Sequence, residues 1–238
     1  MDQRIALVTG ASRGIGRAVA RALAREGCRV VAVARSKKAL ESLDDEIKAE
    51  GKGEATLVPL DLKDYDAIDK LGAALYERFG RIDALAACAG ALGLLTPAHQ
   101  ATPALMEETI AINYLANQRL IRSMHPLLRA SDAGRAVFVT SGASKNPKAF
   151  WAPYAASKAA LDALVVCYAQ EIGITPIKAN LYNPGPTATQ MRAKAFPGED
   201  PNTISSPEDV TPQLVALLRP ECQLNGAWVQ YERPSEKH

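Results

Sequence analysis

Cysteine is scarce in this 238-residue chain: Cys28, Cys88, Cys167 and Cys222 stand far apart, with no CxxC pair and no neighbouring histidine. They read as reduced thiols, mostly buried, in a cytoplasmic chain. Histidine is scarcer still, with His99, His125 and the terminal His238, so no His-based metal site is expected. Long apolar runs are missing. The longest are strand-sized, far below the ~20 residues that span a bilayer. Met1-Asp2-Gln3-Arg4 does not read as the start of a secretory signal, because no apolar stretch follows before the first Gly-rich turn. Charge of one sign is also missing: 28 Lys+Arg face 26 Asp+Glu, a net charge of +2. That balance gives no reason to expect a general polyanion partner. At 47% apolar and 23% charged residues, the composition excludes disorder. No repeat, low-complexity tract or linker divides the chain, and open α/β sheets of ~200–250 residues often form one unit. One domain over residues 1–238 is expected.

What is present is an alternation. Arg4–Thr9 is a short apolar run, followed by a Gly-rich turn at Gly10–Gly16 and a helical stretch to about Glu26, with Gly27 as its C-cap. Arg29–Ala34 is continuously apolar, as a strand buried on both faces should be. Leu40–Glu50 then reads as helix, Ala55–Leu60 as strand, Tyr65–Phe79 as helix and Asp83–Ala87 as strand. One or two helices fill Thr102–Leu128. A strand at Ala136–Thr140, a long helix at Tyr154–Ile172 with Pro153 just before it, and a strand at Ile177–Tyr182 follow. Between Pro184 and Pro207 the pattern breaks into a long Pro-rich excursion of the kind that forms lids or binding loops. A helix near Glu208–Leu218 and a strand near Gly226–Gln230, entered through Asn225-Gly226, close the chain. The alternation predicts an α/β, Rossmann-type doubly wound, mainly parallel seven-stranded sheet with helices on both faces.

The first turn reads Thr9-Gly-Ala-Ser-Arg-Gly-Ile-Gly16, a GxxxGxG spacing. Alone, such a string is also explained by any tight strand-to-helix turn. Between a strand and a helix it favours a dinucleotide. Gly10 and Gly14 would let backbone approach a pyrophosphate, Gly16 would let the helix pack on the sheet, and the helix N-terminus would supply free N–H groups and a positive dipole. NAD binders tend to place a carboxylate at the end of the second strand, ~20 residues past the glycines. Here that position reads Ala34-Arg35-Ser36. Arg35 with Arg13 suits a 2′-phosphate, and NADP is expected over NAD. Arg13, Arg17, Arg21, Arg25 and Arg29 recur every four residues, which also fits a solvated helix edge. As a nucleic-acid surface the series is poor, because no aromatics interleave it.

In the middle of the chain stands Tyr154-Ala-Ala-Ser-Lys158. Tyr and Lys four apart share a helix face, roughly 6 Å apart along the axis. A phenol has a pKa near ~10, and a neighbouring ammonium can lower it by ~1–3 units. YxxxK pairs are common on surface helices. Ser141 at the end of the fifth strand and Asn113 in the preceding helical region strengthen this one, although each alone reads as a turn hydroxyl or a polar core residue.

With those residues in order, the sequence resembles the short-chain dehydrogenase/reductase family in its short single-domain form, over nearly its whole length. TGASRGIG at 9–16 matches the family's cofactor turn, with Gly10, Ser12, Arg13, Gly14, Ile15 and Gly16 as contacts. Asp61-Leu62 matches the adenine-contacting pair, and Ala89-Gly90 the turn after the fourth strand. Asn113, Ser141, Tyr154 and Lys158 match the catalytic tetrad. Pro184-Gly185, Thr187 and Thr189 match the segment that holds the nicotinamide carboxamide. The stretch Met191–Pro201 is similar to a bacterial subgroup whose substrates are poorly defined. The resemblance implies an NADP(H)-dependent oxidoreductase that interconverts a small-molecule carbonyl and an alcohol. Tyr154 would be the general acid/base. Lys158 would depress its pKa and bond the ribose, Ser141 would hold the substrate oxygen, and Asn113 would position a water linking Lys158 to solvent. It also implies a homo-oligomer, dimer or tetramer, with no nucleic acid and no membrane.

Three departures stand out. Ala87-Cys88-Ala89-Gly90 replaces the family's Asn-Asn-Ala-Gly; Cys88 could face the nicotinamide, or simply pack where Asn would be. Trp228-Val-Gln-Tyr-Glu-Arg-Pro234 replaces a Val-Asp-Gly-Gly ending that often builds the tetramer interface. Phe150-Trp151 puts two aromatics before Tyr154, favouring an apolar or aromatic substrate. The pocket should be drawn from Leu92–Thr96, Ala143–Trp151 and the Pro186–Ser206 loop. There Arg192 and Lys194 could meet an anionic group or form a solvated face. A catalytically idle NADP(H)-binding sensor or partner protein is the competing function.

Overall fold

Alternate side chains of each strand point to opposite faces, and in this chain both faces are apolar. In β1 (Ile5–Thr9), Ile5 and Leu7 enter one core cluster while Ala6 and Val8 enter another. The computed structural model describes residues 3–51 and 53–233. It adds β2 (Arg29–Ala34), β3 (Glu54–Pro59), β4 (Ala84–Ala87), β5 (Arg135–Val139), β6 (Lys178–Asn183) and β7 (Trp228–Gln230). These form one seven-stranded sheet in the order β3-β2-β1-β4-β5-β6-β7, with every neighbouring pair parallel. Met1, Asp2, Pro234 and His238, which enter the sequence reading, lie outside the described residues.

The helices are α1 (Gly14–Arg25), α2 (Lys37–Glu50), α3 (Tyr65–Phe79), α4 (Pro103–Ile110), α5 (Ala116–Arg129), α6 (Ala152–Glu171), α7 (Gln190–Ala195) and α8 (Pro207–Leu218). Leu23 of α1, Leu40, Leu43 and Ile47 of α2 and Leu214 of α8 join the cluster on one face of the sheet. Ile68 of α3, Leu120 and Met124 of α5 and Leu161 of α6 join the other. Side-chain caps start α2 and α8 earlier than apolar periodicity suggests, at Lys37 rather than Leu40 and at Pro207 rather than Glu208. Ser36 accepts the Ala39 N–H at the head of α2, and a Ser206–Asp209 capping box opens α8, each satisfying N–H groups that have no partner within the helix.

Several expectations need correcting. α6 begins at Ala152 and takes Pro153 into its first turn, where a missing N–H costs nothing. Cys28 is buried, but Cys88 and Cys222 are half-buried and Cys167 is exposed on α6. The Pro184–Pro207 excursion is not structureless: it holds α7, a 3-10 turn at Pro201–Thr203 and a parallel bridge between Thr187 and Ser205. The arginines are not merely a solvated edge. Arg17 pairs with Glu46 at 2.8 Å, Arg21 with Glu50 at 2.6 Å and Arg25 with Glu50 at 2.7 Å, binding α1 to α2, while Arg29 pairs with Glu54 across β2 and β3. The repeat of four keeps the guanidinium groups on one side of α1, and Glu46 and Glu50 have the same spacing on α2. No helix among the described residues is long and apolar enough to cross a membrane.

Candidate active site

Strand order reverses between β1 and β4, and in such sheets ligands settle beyond the carboxyl ends of the strands at that point. The Gly10–Gly16 turn follows β1 and Cys88-Ala89-Gly90 follows β4. Gly10 has a left-handed φ of 68°, and a Cβ there would lie 2.9 Å from the Ala89 Cα; at Gly16 it would lie 2.4 Å from the Gly10 carbonyl oxygen. Both glycines therefore serve the protein's own backbone, joining the two turns and the helix start. Gly14, with φ 56°, faces only the Thr189 methyl, at 3.4 Å. Arg13 precedes it in extended backbone, and α1 begins without a side-chain cap or an acidic residue in its first turn. Free N–H groups and an uncompensated dipole at an open glycine form a cradle that fits a pyrophosphate. Ser12 and Ile15 are half-buried within this turn, and Thr9 Oγ1 accepts the Ala89 N–H at 3.3 Å.

The end of β2, where the sequence expectation puts the adenosine, is more open. Arg35 and Arg13 are exposed, and the absence of an acid at the end of β2 fits a phosphorylated ribose better than a free diol. Arg13 also has a protein partner, its Nη1 donating to Gln190 Oε1 at 2.7 Å across the mouth of the cleft. Asp61 lies past β3, where its carboxylate accepts the Lys63 N–H at 3.0 Å, and Leu62 is buried in the core. On the far side Pro184 and Thr187 are buried, and Gly185 turns with φ 66°. Thr187 Oγ1 lies 3.3 Å from the Pro184 and Gly185 carbonyls, and Thr189 caps α7 directly above Gly14.

Tyr154 and Lys158 lie on the buried side of α6. Lys158 Nζ donates to the Val139 carbonyl at 2.8 Å, and stands 5.9 Å from the Tyr154 ring centroid. A Cβ on Gly90 would meet Asn113 Oδ1 at 3.2 Å and Lys158 Nζ at 3.6 Å, so Gly90 floors the space that both side chains face. Ser141 leads from β5 into a 3-10 turn at Gly142–Ser144. Asn113 is fully buried in a π turn, Ala111–Leu115, between α4 and α5. Such turns shift the helix phase by one residue and recur at functional sites. Its amide exchanges two 2.8 Å bonds with the Ala91 backbone and donates to Ser157 Oγ at 2.8 Å. Ser157 in turn donates to the Tyr154 carbonyl at 2.7 Å. Asn113 thus ties the turn after β4 to the first turns of α6. Ser157 escaped sequence reading, although its place three residues after Tyr154 on the same helix face was the available signal.

The electrostatics differ from the sequence expectation. Burial holds the Lys158 ammonium down at about 8, against the pull of Asp162. Burial also pushes the Tyr154 phenol up, only partly offset by its hydrogen bond with Ser141. Lys158 Nζ is bonded to the Val139 carbonyl, and desolvation of the buried phenolate is the largest effect at Tyr154. The Cys88 thiol is pushed up to about 12 by burial and packs against the α1–α2 core cluster, as a small residue standing in for Asn would.

Above the site, Trp151 meets Tyr154 edge-on at 5.7 Å and Phe196 at 5.7 Å. Arg192 stacks 3.7 Å over the Phe196 ring and holds Glu199 with two 2.5 Å bonds. Arg192 is therefore spent within the loop and not offered to an anion, while Lys194 is exposed. Phe150 carries a left-handed φ of 73°, a strained state for a non-glycine residue. Its carbonyl accepts the Thr96 N–H at 3.0 Å and joins two segments expected to line the pocket. A surface groove of about 610 Å³ between α5 and the C-terminal half of α6 shares no lining residue with this site. No three His, Cys, Asp or Glu gather as a metal site among the described residues.

A family model described as short chain dehydrogenase matches residues 4–200. The chain is 34% identical over 220 residues to the uncharacterized oxidoreductase YciK of Escherichia coli (strain K12), covering 92% of this chain and 87% of that one. It is similar to a short chain dehydrogenase of Shigella flexneri 2a str. 301 solved in complex with NADP, at TM-score 0.90 and 33% identity, covering 97% of each chain. A counterpart from Escherichia coli CFT073, solved in complex with NADPH, matches at TM-score 0.90 and 32% identity, again over 97% of each.

Proposed function

The chain belongs to the short-chain dehydrogenase family of oxidoreductases, and from that premise we propose that it interconverts a carbonyl and an alcohol, with NADP(H) as cofactor and Tyr154 as the general acid/base. The observation that carries this reading is the meeting of Ser141, Tyr154 and Lys158 at the switch point, beside the floor made by Gly90. When bound, the cofactor supplies or accepts the hydride. Tyr154, its pKa pushed up by burial, holds its proton at neutral pH and gives it to the carbonyl oxygen, which suits the reducing direction. Ser141 donates to the same oxygen and aligns it. Lys158, protonated at neutral pH, holds positive charge under the reacting centre. Asn113 keeps the turn after β4 in register with α6. The Trp151 and Phe196 rings favour an apolar or aromatic carbonyl.

NADP(H) over NAD(H) is supported by Arg35 and Arg13, by the missing acid after β2, and by the cofactors in the two complexed relatives. Exchanging Arg35→Asp is expected to weaken NADPH binding far more than NADH binding; equal losses would reject that assignment. The test of the whole reading is NADPH oxidation over a panel of aldehydes, ketones and quinones, with Tyr154→Phe alongside. Turnover should fall by ~10²–10⁴-fold in the variant with NADPH affinity nearly intact. Tight NADPH binding with no turnover on any carbonyl would favour the catalytically idle sensor. Retained turnover in Tyr154→Phe would remove Tyr154 from the acid/base role.

A further inference from the structure

Asp162 lies one helical turn beyond Lys158 on α6, and nothing in the reaction described above uses it. Its two oxygens nonetheless collect donors from three separate elements. Thr140 Oγ1, next after β5, donates to Oδ1. Ser144 Oγ donates to Oδ2 at 2.6 Å, and the indole Nε1 of Trp228 on β7 donates to the same oxygen at 3.0 Å. Thr140 and Ser144 bracket Ser141. The Ser144 hydroxyl also lies 2.8 Å from the Ser141 carbonyl, so its one proton links the carboxylate to the Ser141 backbone. Lys145 Nζ sits 3.7 Å over the Trp228 ring, holding the indole in place from the same turn.

Ser141 comes from a strand end and Tyr154 from a helix, and no covalent neighbour fixes one against the other. Asp162 belongs to the helix and grips the strand end on both sides of Ser141. Bonds to a charged acceptor are about twice as strong as neutral ones, and a misplacement of ~1 Å at a reacting centre can cost ~10²-fold in rate. The titratable groups that face Lys158 are Asp162, Cys88 and Tyr154. Cys88 and Tyr154 are both held neutral at neutral pH. Asp162 is then the one of the three that can carry negative charge there.

We propose that Asp162 is a positioning residue for the reaction, aligning Ser141 with Tyr154 through Thr140 and Ser144 and setting its carboxylate one helical turn from Lys158. The proposal rests on the reading of Ser141, Tyr154 and Lys158 as the reacting set. It also gives the unusual C-terminal strand a place at the site, because Trp228 closes the third side of the carboxylate.

The test compares wild type, Asp162→Asn and Ser144→Ala in the full chain. Two readouts are taken: steady-state kinetics across pH with the best carbonyl of the panel, and titration of Lys158 by NMR of 13C-labelled lysine without substrate. Asp162→Asn should lower kcat by about 10–100-fold, leave NADPH affinity little changed, and move the Lys158 titration to lower pH. Ser144→Ala keeps the carboxylate, so it should lower kcat several-fold and leave the Lys158 titration in place. It also carries the alignment test if Asp162→Asn fails to fold. A lower melting temperature with unchanged kcat and unchanged Lys158 titration in Asp162→Asn would overturn the proposal, as would wild-type kcat in Ser144→Ala. Absence of turnover in the wild type would sink the reductase reading instead. The Lys158 titration would still decide whether Asp162 governs that charge.

Discussion

The chain before Asp83 and the chain from Asp83 onward build parts of the same sheet, yet they use polar residues in opposite ways. Among the described residues, Thr9 is the one buried polar side chain before Asp83; after it come Asp83, Asn113, Thr140, Lys158, Asn183 and others. The first region works with backbone and surface charge. Its glycines bring turns together, its uncapped α1 offers N–H groups, and its ion pairs stay partly exposed. The second takes side chains out of water and gives most of their polar atoms a partner, the Nε atoms of Arg119 and Arg135 excepted among the described residues. Exposed ion pairs are worth about 0–1 kcal/mol each, whereas a buried polar group left without a partner costs about 1–3 kcal/mol. The first region can therefore vary its charges at little cost, and the second cannot.

That contrast is broken or sharpened by four substitutions. Asp83→Ala strips the acceptor from the Ile5 N–H, bonded at 2.8 Å, and from the Ser131 hydroxyl, bonded at 2.6 Å. It should cost about 3 kcal/mol in urea unfolding; a cost near zero would show that burial is not what sets the two regions apart. Lys158→Met should change how stability depends on pH. With Lys158 held at about 8 against an ordinary 10.5, the unfolded chain binds a proton that the folded chain has released. This group then adds stability as pH rises between those values. Cys88 and Tyr154, both pushed up, act in the opposite sense above pH 9.0 and 10.0. The observable is therefore the difference between wild type and Lys158→Met without cofactor, which should show that rise.

Gly16→Ala tests the first region where it is rigid. The new Cβ would press on the Gly10 carbonyl, costing about 1–3 kcal/mol by thermal unfolding and weakening NADPH binding by moving the turn. An unchanged protein would mean that the turn is softer than its glycines imply. Arg21→Ala removes one rung between α1 and α2 and should cost no more than about 0.5 kcal/mol, less at high salt. A loss above about 2 kcal/mol would place the ladder among the buried networks and erase the contrast.

Much of this was legible in the chain itself. The alternation located all seven strands; β1, β2, β4 and β5 stood out because a parallel strand buried on both faces is nearly continuous in apolar residues, whereas the half-buried β3 and β7 carried a weaker signal. Boundaries moved by one to three residues where caps decided them, as at Ser36 and Pro153. The glycine turn, the YxxxK pair and Asn113 could be singled out because the proposed chemistry needs those residue types at fixed spacing. The Arg17–Glu46 and Arg21–Glu50 pairs were half visible: the arginine period showed, but its partners lay on another helix. Ser157 stood inside the YxxxK motif unnoticed: its place on the Tyr154 face could be read, but its bond to Asn113 comes only from packing. The upward shift of Tyr154 and the downward shift of Lys158 could not be read at all, because both come from burial.

By itself, then, the sequence determined the α/β alternation, the glycine turn after β1 and the Tyr154–Lys158 spacing on one helix, all of which depend on local geometry and periodicity. Only the tertiary structure decided which groups lost their water, and which residues distant in sequence came to share a proton. Asp162 received Thr140, Ser144 and Trp228 because β5, α6 and β7 pack side by side, and Arg13 met Gln190 because α7 folds back over the first turn. Desolvation and long-range pairing are properties of packing. A chain read residue by residue carries the groups but not their surroundings.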